Sequence, residues 1–225
     1  MNRGGYASRE LHEAPERRYA PGRAALLVVD LQNDFCAPGG YIAALGKDVS
    51  AYAALLPPVQ RLLAAARAAG VAVAWLTACY EDALVPPAML RRKREMGVAR
   101  VCCAEGSWGA ELLPGLEPAA GEPVLRKHTY SGFSNPGLDE FLRARGIESL
   151  VFCGVQTNVC VESTLREAHT RGYHVAVAAD AVASHAPALH EATLANIRFL
   201  LGDVLTAGQV ASFWQPEAQR AGDQA

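Results

Sequence analysis

Residues 24–29, Ala-Ala-Leu-Leu-Val-Val, form an unbroken apolar run that stops at Asp30. A strand with one wet face alternates apolar and polar residues, so a run without alternation predicts a strand covered on both sides. Related runs recur at 71–76, 124–126, 150–153, 173–179 and 204–206. Helical spacing fills the intervals: 57–69, with Pro57 at its start and Gly70 at its end, 138–145 closed by Gly146, a helix opening at Asn158, then 188–201 and 207–214. Strand and helix in alternation predict right-handed crossovers, hence an α/β domain with a doubly wound parallel sheet.

The 225 residues show no composition shift of the kind that marks an interdomain linker, so one domain over 23–214 is expected. Residues 1–22 read as an arm, loose or lying across a neighbour, and 215–225 as a tail. A net charge of −2 gives no electrostatic case for nucleic acid or an acidic membrane surface, leaving a small organic molecule and other copies of the chain as expected partners. The six cysteines sit in or near apolar segments, which argues against a disulfide framework. The polar start excludes a secretory signal, and no apolar run approaches the roughly 20 residues of a membrane span, so a cytoplasmic enzyme is the expectation.

The stretch from Phe152 to Ala168, FCGVQTNVCVESTLREA, carries the sharpest chemistry. It reads as a buried strand, a turn at Gly154, and a helix with Thr157 and Asn158 as candidate caps supported by Glu162. Cys160 then lies in the first helical turn, where unpaired N–H groups and the helix field favour an anion. A free thiol titrates near 8.5, and such a position lowers that to roughly 3.5–7.5, so a reactive thiolate is predicted beside the plainer reading of a buried, inert cysteine.

Several motifs fail. Gly40 and Gly46-Lys47 do not make a phosphate loop, because Asp48 stands where a magnesium-binding hydroxyl belongs. Gly132-Phe133-Ser134-Asn135-Pro136 has the wrong last residue for a serine-hydrolase elbow, and no dinucleotide fingerprint follows a strand. His169/His174 and His185/His190 are spaced by five, which does not align two ligands on one helical face, so the histidines are assigned structural or surface roles. Neither the segment 77–82, which lacks histidine, nor the isolated pair Cys102-Cys103 offers a recognisable metal site; no metal or other cofactor is expected. The basic run Arg91-Arg92-Lys93-Arg94 reads as a solvated helix face.

Asp30, Lys127 and Cys160 each follow a predicted strand or open the next element, and a parallel sheet gathers such residues at its carboxyl edge. A carboxylate, an ammonium and a thiol are a working set for acyl transfer: the carboxylate relays a proton while the ammonium stabilises the anions. The segments VVDLQNDF around Asp30, VLRK at Lys127 and GVQTNVCVESTLR around Cys160 resemble those of the isochorismatase-like cysteine hydrolases. The resemblance spans about residues 23–210 and implies a six-stranded parallel sheet with helices on both faces, a Cys-Asp-Lys triad, and cleavage of a C–N bond through a thioester. It further implies a cis peptide at Val155-Gln156 and an oxyanion hole made by the backbone N–H groups of Gln156 and Cys160. Cys160 argues against isochorismatase chemistry proper, and the missing Asp-x-His after the second strand argues against a metal-assisted nicotinamidase.

Segments 38–41, 106–108, 130–133 and 157–164 look most like the ureidoacrylate amidohydrolases within the family, and next like biuret and N-carbamoyl amino acid hydrolases. Ala78, Cys79 and Gln156 depart from that pattern, which implies a re-cut pocket. A small ureido or carboxamide substrate is therefore expected, with Phe35, Tyr130 and Phe133 as candidate walls and a dimer or tetramer as the assembly. The competing readings are another amidase of this fold acting on biuret, N-carbamoylsarcosine, maleamate or nicotinamide, a catalytically silent metabolite-binding member, and a redox sensor pairing Cys153 with Cys160.

Overall fold

Six strands form a single all-parallel sheet: β1 (Ala24–Val29), β2 (Ala72–Ala78), β3 (Val124–Lys127), β4 (Ser149–Val155), β5 (His174–Ala183) and β6 (Asp203–Leu205). The computed structural model describes residues 14–98 and 100–215. The strand order is β3-β2-β1-β4-β5-β6. The chain thus winds outward from β1 in one direction, then returns and winds outward from β4 in the other. At such a reversal the flanking loops diverge and leave a crevice beyond the carboxyl ends of the two central strands. Asp30 closes β1, and Cys160 lies one turn beyond β4.

Every residue of β1 and β4 is buried, as their lack of alternation predicts. Successive side chains feed opposite cores. Leu26, Val28, Val151 and Cys153 pack on one face with Val59, Leu62 and Val210. Leu27, Val29, Leu150 and Phe152 pack on the other with Leu138, Leu142 and Leu165. The helices Leu56–Ala68 and Ala207–Phe213 cover the first face, and Pro136–Ala144 and Glu162–Thr170 the second. Cys153 and Cys160 fall in different cores, which separates the pair a redox sensor would need.

Several boundaries differ from expectation. β5 does not stop at Asp180; it continues to Ala183 across a register shift opposite Phe152 and Gly154. The Asp180 carboxylate accepts from the Ala207 N–H at 2.6 Å, so a residue that looked like a strand terminator anchors a helix instead. The helix expected over 188–201 is α-helical only over Pro187–Asn196 and ends in a π turn, Ile197–Leu201. Residues 31–40, beyond the end of β1, contain a short buried helix, Asn33–Cys36.

The described end of the arm is docked, not loose. Pro15–Arg18 is helical, and Tyr19 is fully buried, its hydroxyl 2.8 Å from the Val175 carbonyl and 2.6 Å from Asp203. Trp214 Nε1 donates to the Tyr19 carbonyl at 3.0 Å, tying the two ends of the described chain together. The rest of the arm and of the tail, 1–13 and 216–225, lies outside the described residues. Among the described residues, no helix is long and apolar enough to cross a membrane.

Candidate active site

Asp30 sits at positive φ (49°), where the chain turns sharply off the end of β1. Its carboxyl is almost completely buried, and Lys127, the last residue of β3, reaches across β2 to donate to Oδ2 at 2.7 Å. The other oxygen, Oδ1, is buried without a hydrogen-bond partner, and the carboxyl faces the Cys160 thiol. Two charges removed from water hold each other, with one acceptor atom left for a proton.

Cys160 is placed by a π turn, Thr157–Val161, inserted before the helix Glu162–Thr170. π turns are rare and concentrate at functional sites. Thr164 fixes this one: its hydroxyl donates to the Cys160 carbonyl at 2.7 Å and accepts from Gly132 N–H at 3.0 Å. The predicted caps do other work. The N-cap position belongs to Gln156, with no side-chain cap; Thr157 Oγ1 meets His190 Nδ1 at 2.9 Å, and Glu162 binds Arg166 and Thr193. Gly154, at φ 112°, lets β4 lie against β1, since a Cβ there would overlap the Val29 carbonyl. The Val155-Gln156 peptide is cis, at the position the resemblance implied.

The environment reverses one expectation. Burial first, and the Asp30 charge second, push the Cys160 thiol up to about 12, while Lys127 and Tyr80 pull against that rise. Desolvation opposes the helix-end field here and outweighs it, so burial favours the thiol over the thiolate. Asp30 is likewise raised by burial, against the opposing pull of Lys127. Lys127 is raised as well: burial works against its charge, but Asp30 and Cys160 more than offset it. A carboxylate made more basic beside a protonated thiol can take that proton when a substrate arrives.

Cys160 opens on a cavity of about 230 Å³ whose lining includes Phe35, Ile42, Leu45, Met89, Tyr130 and Val159, with Asp30 and Lys127 buried behind it. Among the described residues no aspartate or glutamate lines it, whereas Lys47, Lys93 and His185 do.

A family model of the isochorismatase domain matches residues 24–209. The chain belongs to the isochorismatase family. A ureidoacrylate amidohydrolase of Methylobacterium radiotolerans is 41% identical over 206 residues, 86% of this chain and 79% of that one. Among solved structures, a cysteine hydrolase of Pseudomonas syringae pv. phaseolicola superposes with TM-score 0.76 at 31% identity, covering 88% of this chain and 94% of that one. An N-carbamoylsarcosine amidase of Thermoplasma acidophilum gives 0.66 at 28%, covering 82% and 96%.

Within this isochorismatase-family site, Phe35 and Tyr130 line the cavity and Phe133 does not. Ser131 caps the turn Gly132–Ser134 and directs Phe133 into the opposite core, where it stacks on Tyr173 at 6.1 Å beneath Arg171. The basic run is only partly solvated: Lys93 folds over the Tyr80 carbonyl at 3.3 Å, and Met89 and Met96 beside it face the cavity. His185 lines the cavity too, with Nδ1 2.7 Å from Gln156 Oε1.

Asp34, Cys102 and Cys103 bring three possible ligand atoms within 4.8 Å of one another. Both Asp34 oxygens already accept hydrogen bonds, from Tyr41 N–H, Cys103 N–H and Arg100, so that carboxylate is committed to holding its loops.

Tyr80 escaped the sequence reading altogether. It registered there only as one of the residues after β2 that are not histidine, yet its hydroxyl lies 3.0 Å from Lys127 Nζ and 3.3 Å from Cys160 Sγ. The only local signal was a large polar-tipped aromatic at a strand end.

Proposed function

We propose that this protein is a cysteine amidohydrolase that cleaves the C–N bond of a small ureido acid through a thioester on Cys160. The observation that carries this reading is the buried Lys127–Asp30 pair at 2.7 Å, with a free carboxylate oxygen facing the thiol beneath an open cavity. The relatives named for ureidoacrylate hydrolysis support the ureido class. The reading takes 23–214 as the catalytic unit.

Asp30 accepts the thiol proton as the sulfur bonds to the ureido carbonyl carbon. The backbone N–H groups of Gln156 and Cys160 receive the oxyanion, where one donor is commonly worth about a hundredfold or more in rate. Asp30 then returns the proton to the departing nitrogen as the C–N bond breaks. Water, deprotonated by the same carboxylate, cleaves the thioester and restores the thiol. Lys127 keeps Asp30 in place through both half-reactions.

The substrate's acid end fits beside Lys47 and Gln156. The Gln156 side-chain oxygen is occupied by His185 N–H, His185 Nδ1 and the Ser184 hydroxyl, so its amide nitrogen is the atom left for the cavity. Because a backbone N–H can only donate, this settles which end of the amide points where. Burial and the nearby Lys47 charge lower the His185 pKa, favouring a neutral ring. An ammonium and an amide N–H with no facing carboxylate suit a carboxylate ligand. Lys47→Gln is expected to raise KM for ureidopropanoate about tenfold and leave kcat within about twofold, as loss of one charge-assisted contact implies. An unchanged KM removes Lys47 from the site.

A panel of ureido acids and plain carboxamides, followed by ammonia release, tests the substrate class. Turnover confined to plain amides would end the ureido assignment. A cytoplasmic homo-oligomer completes the reading: all six cysteines are free, and the exposed Phe199 and Leu200 supply apolar surface for a second copy. Light scattering at two protein concentrations checks the assembly.

A further inference from the structure

The hydrogen-bond inventory around Lys127 leaves one proton undecided. The ammonium has three protons, held by Asp30 Oδ2 at 2.7 Å, the Tyr80 hydroxyl at 3.0 Å and the Thr129 carbonyl at 3.3 Å, with the Cys160 sulfur close enough to act on it as well. Tyr80 accepts from Lys127 and has a single proton of its own. Two acceptors compete for it, the Thr129 carbonyl at 3.2 Å and Cys160 Sγ at 3.3 Å. While the sulfur keeps its proton it is a weak acceptor, and the carbonyl is the better partner. Once Asp30 takes that proton the sulfur is an anion, and a hydrogen bond to an ion is roughly twice as strong as a neutral one.

We infer that Tyr80 is a fourth catalytic residue, whose hydroxyl swings its proton from the Thr129 carbonyl to Cys160 Sγ as the thiolate forms. Only the hydrogen bond changes; the phenol keeps its proton throughout. Lys127 strengthens the donation, because an ammonium bonded to the phenol oxygen polarises the O–H toward sulfur.

The scaffold holds Tyr80 for this task. The Gln32 side chain accepts from Ala78 N–H at 2.8 Å and donates to the Ala78 carbonyl at 3.1 Å, clamping the end of β2. Tyr80 N–H donates to the Cys102 carbonyl at 3.0 Å, and the ring meets Phe35 and Tyr130 edge-on with centroids 6.4 and 6.3 Å away. The ionisable groups that bear on the phenol are Asp30 from the end of β1, Lys127 from β3, Cys160 from the π turn and the neighbouring Cys102. Burial, then the Cys160 and Asp30 charges, hold the phenol well above its ordinary value, so Tyr80 acts as a donor and not as a base.

The test reads the sulfur directly. The rate at which iodoacetamide alkylates Cys160 is followed at one fixed pH, below the thiol's own titration, by mass spectrometry of its peptide, in the wild type and in Tyr80→Phe. That arm needs no substrate, so it stands even if the ureido assignment, on which the turnover arm rests, fails. Tyr80→Phe keeps the ring contacts and is expected to slow that alkylation about tenfold, the loss expected when a thiolate loses one hydrogen bond. Turnover of ureidopropanoate should lose about tenfold to a hundredfold in kcat, with KM within about threefold. Fluorotyrosine at position 80 keeps the hydroxyl and makes it a stronger donor; it should speed the alkylation. An alkylation rate unchanged in both variants overturns the assignment, as does a fall in Tyr80→Phe turnover that appears wholly in KM.

Discussion

Cys160→Ala is expected to lower turnover by at least about four orders of magnitude while leaving the fold intact. Deleting a nucleophile removes the covalent route entirely, and what remains in such enzymes is the modest acceleration from binding and oxyanion donors alone. The alanine methyl fills most of the space, and the side chain it replaces is one small member of a large core. Mass spectrometry supplies the positive control: the wild type, quenched during turnover, should carry a carbamoyl or acyl adduct on Cys160, and the variant none. Ammonia release retained by Cys160→Ala would refute the mechanism. The pH profile follows from the same site. Asp30 must be unprotonated to act, so kcat/KM should rise with pH through its pKa, and burial places that acid limb above the ordinary carboxylate value. A limb at the ordinary value would mean that Asp30 is solvated when it works.

Lys127→Met carries the second large effect, felt in stability as well as rate. Lys127 and Asp30 are both essentially inaccessible, and breaking a buried pair by removing one partner typically costs about 3–5 kcal/mol. The stranded carboxyl loses the cation that opposed its upward shift, so its folded pKa rises further above the unfolded value. A group whose folded pKa is raised binds more protons in the native state, and the sign follows: the penalty is smallest at acid pH and grows as pH climbs through that pKa. Urea unfolding at several pH values measures it. Asp30→Asn combined with Lys127→Met should restore much of the lost stability, because the uncompensated charge is gone, without restoring turnover. A single variant as stable as the wild type at neutral pH would show that Asp30 is already protonated there, and the base role would fail with it.

The fold was legible because burial on both faces writes itself into composition. β1 and β4 cannot alternate, since helices cover each side, and their apolar runs marked the centre of the sheet. Asp30, Lys127 and Cys160 were legible for a related reason: a functional group at a strand end interrupts an apolar pattern, and the parallel topology brings such interruptions to one edge. The competing strand-end residue, Asp180, gave the same signal for a different cause. Its carboxylate anchors a helix across a bulge, and only the register of β5 against β4 distinguishes the two.

Sequence alone determined which residues are available at the sheet edge and that a sulfur, a carboxylate and an amine stand among them. Tertiary structure decided what each one is. It turned Phe133 away from the cavity and brought Tyr80 to the sulfur, because side-chain direction depends on turns and packing rather than on position along the chain. It also buried Cys160, where desolvation raises the thiol against the helix-end field that the sequence suggested would lower it. Local order places a charge near a helix end, but desolvation is summed over every atom that packs around it, and those atoms come from all parts of the chain.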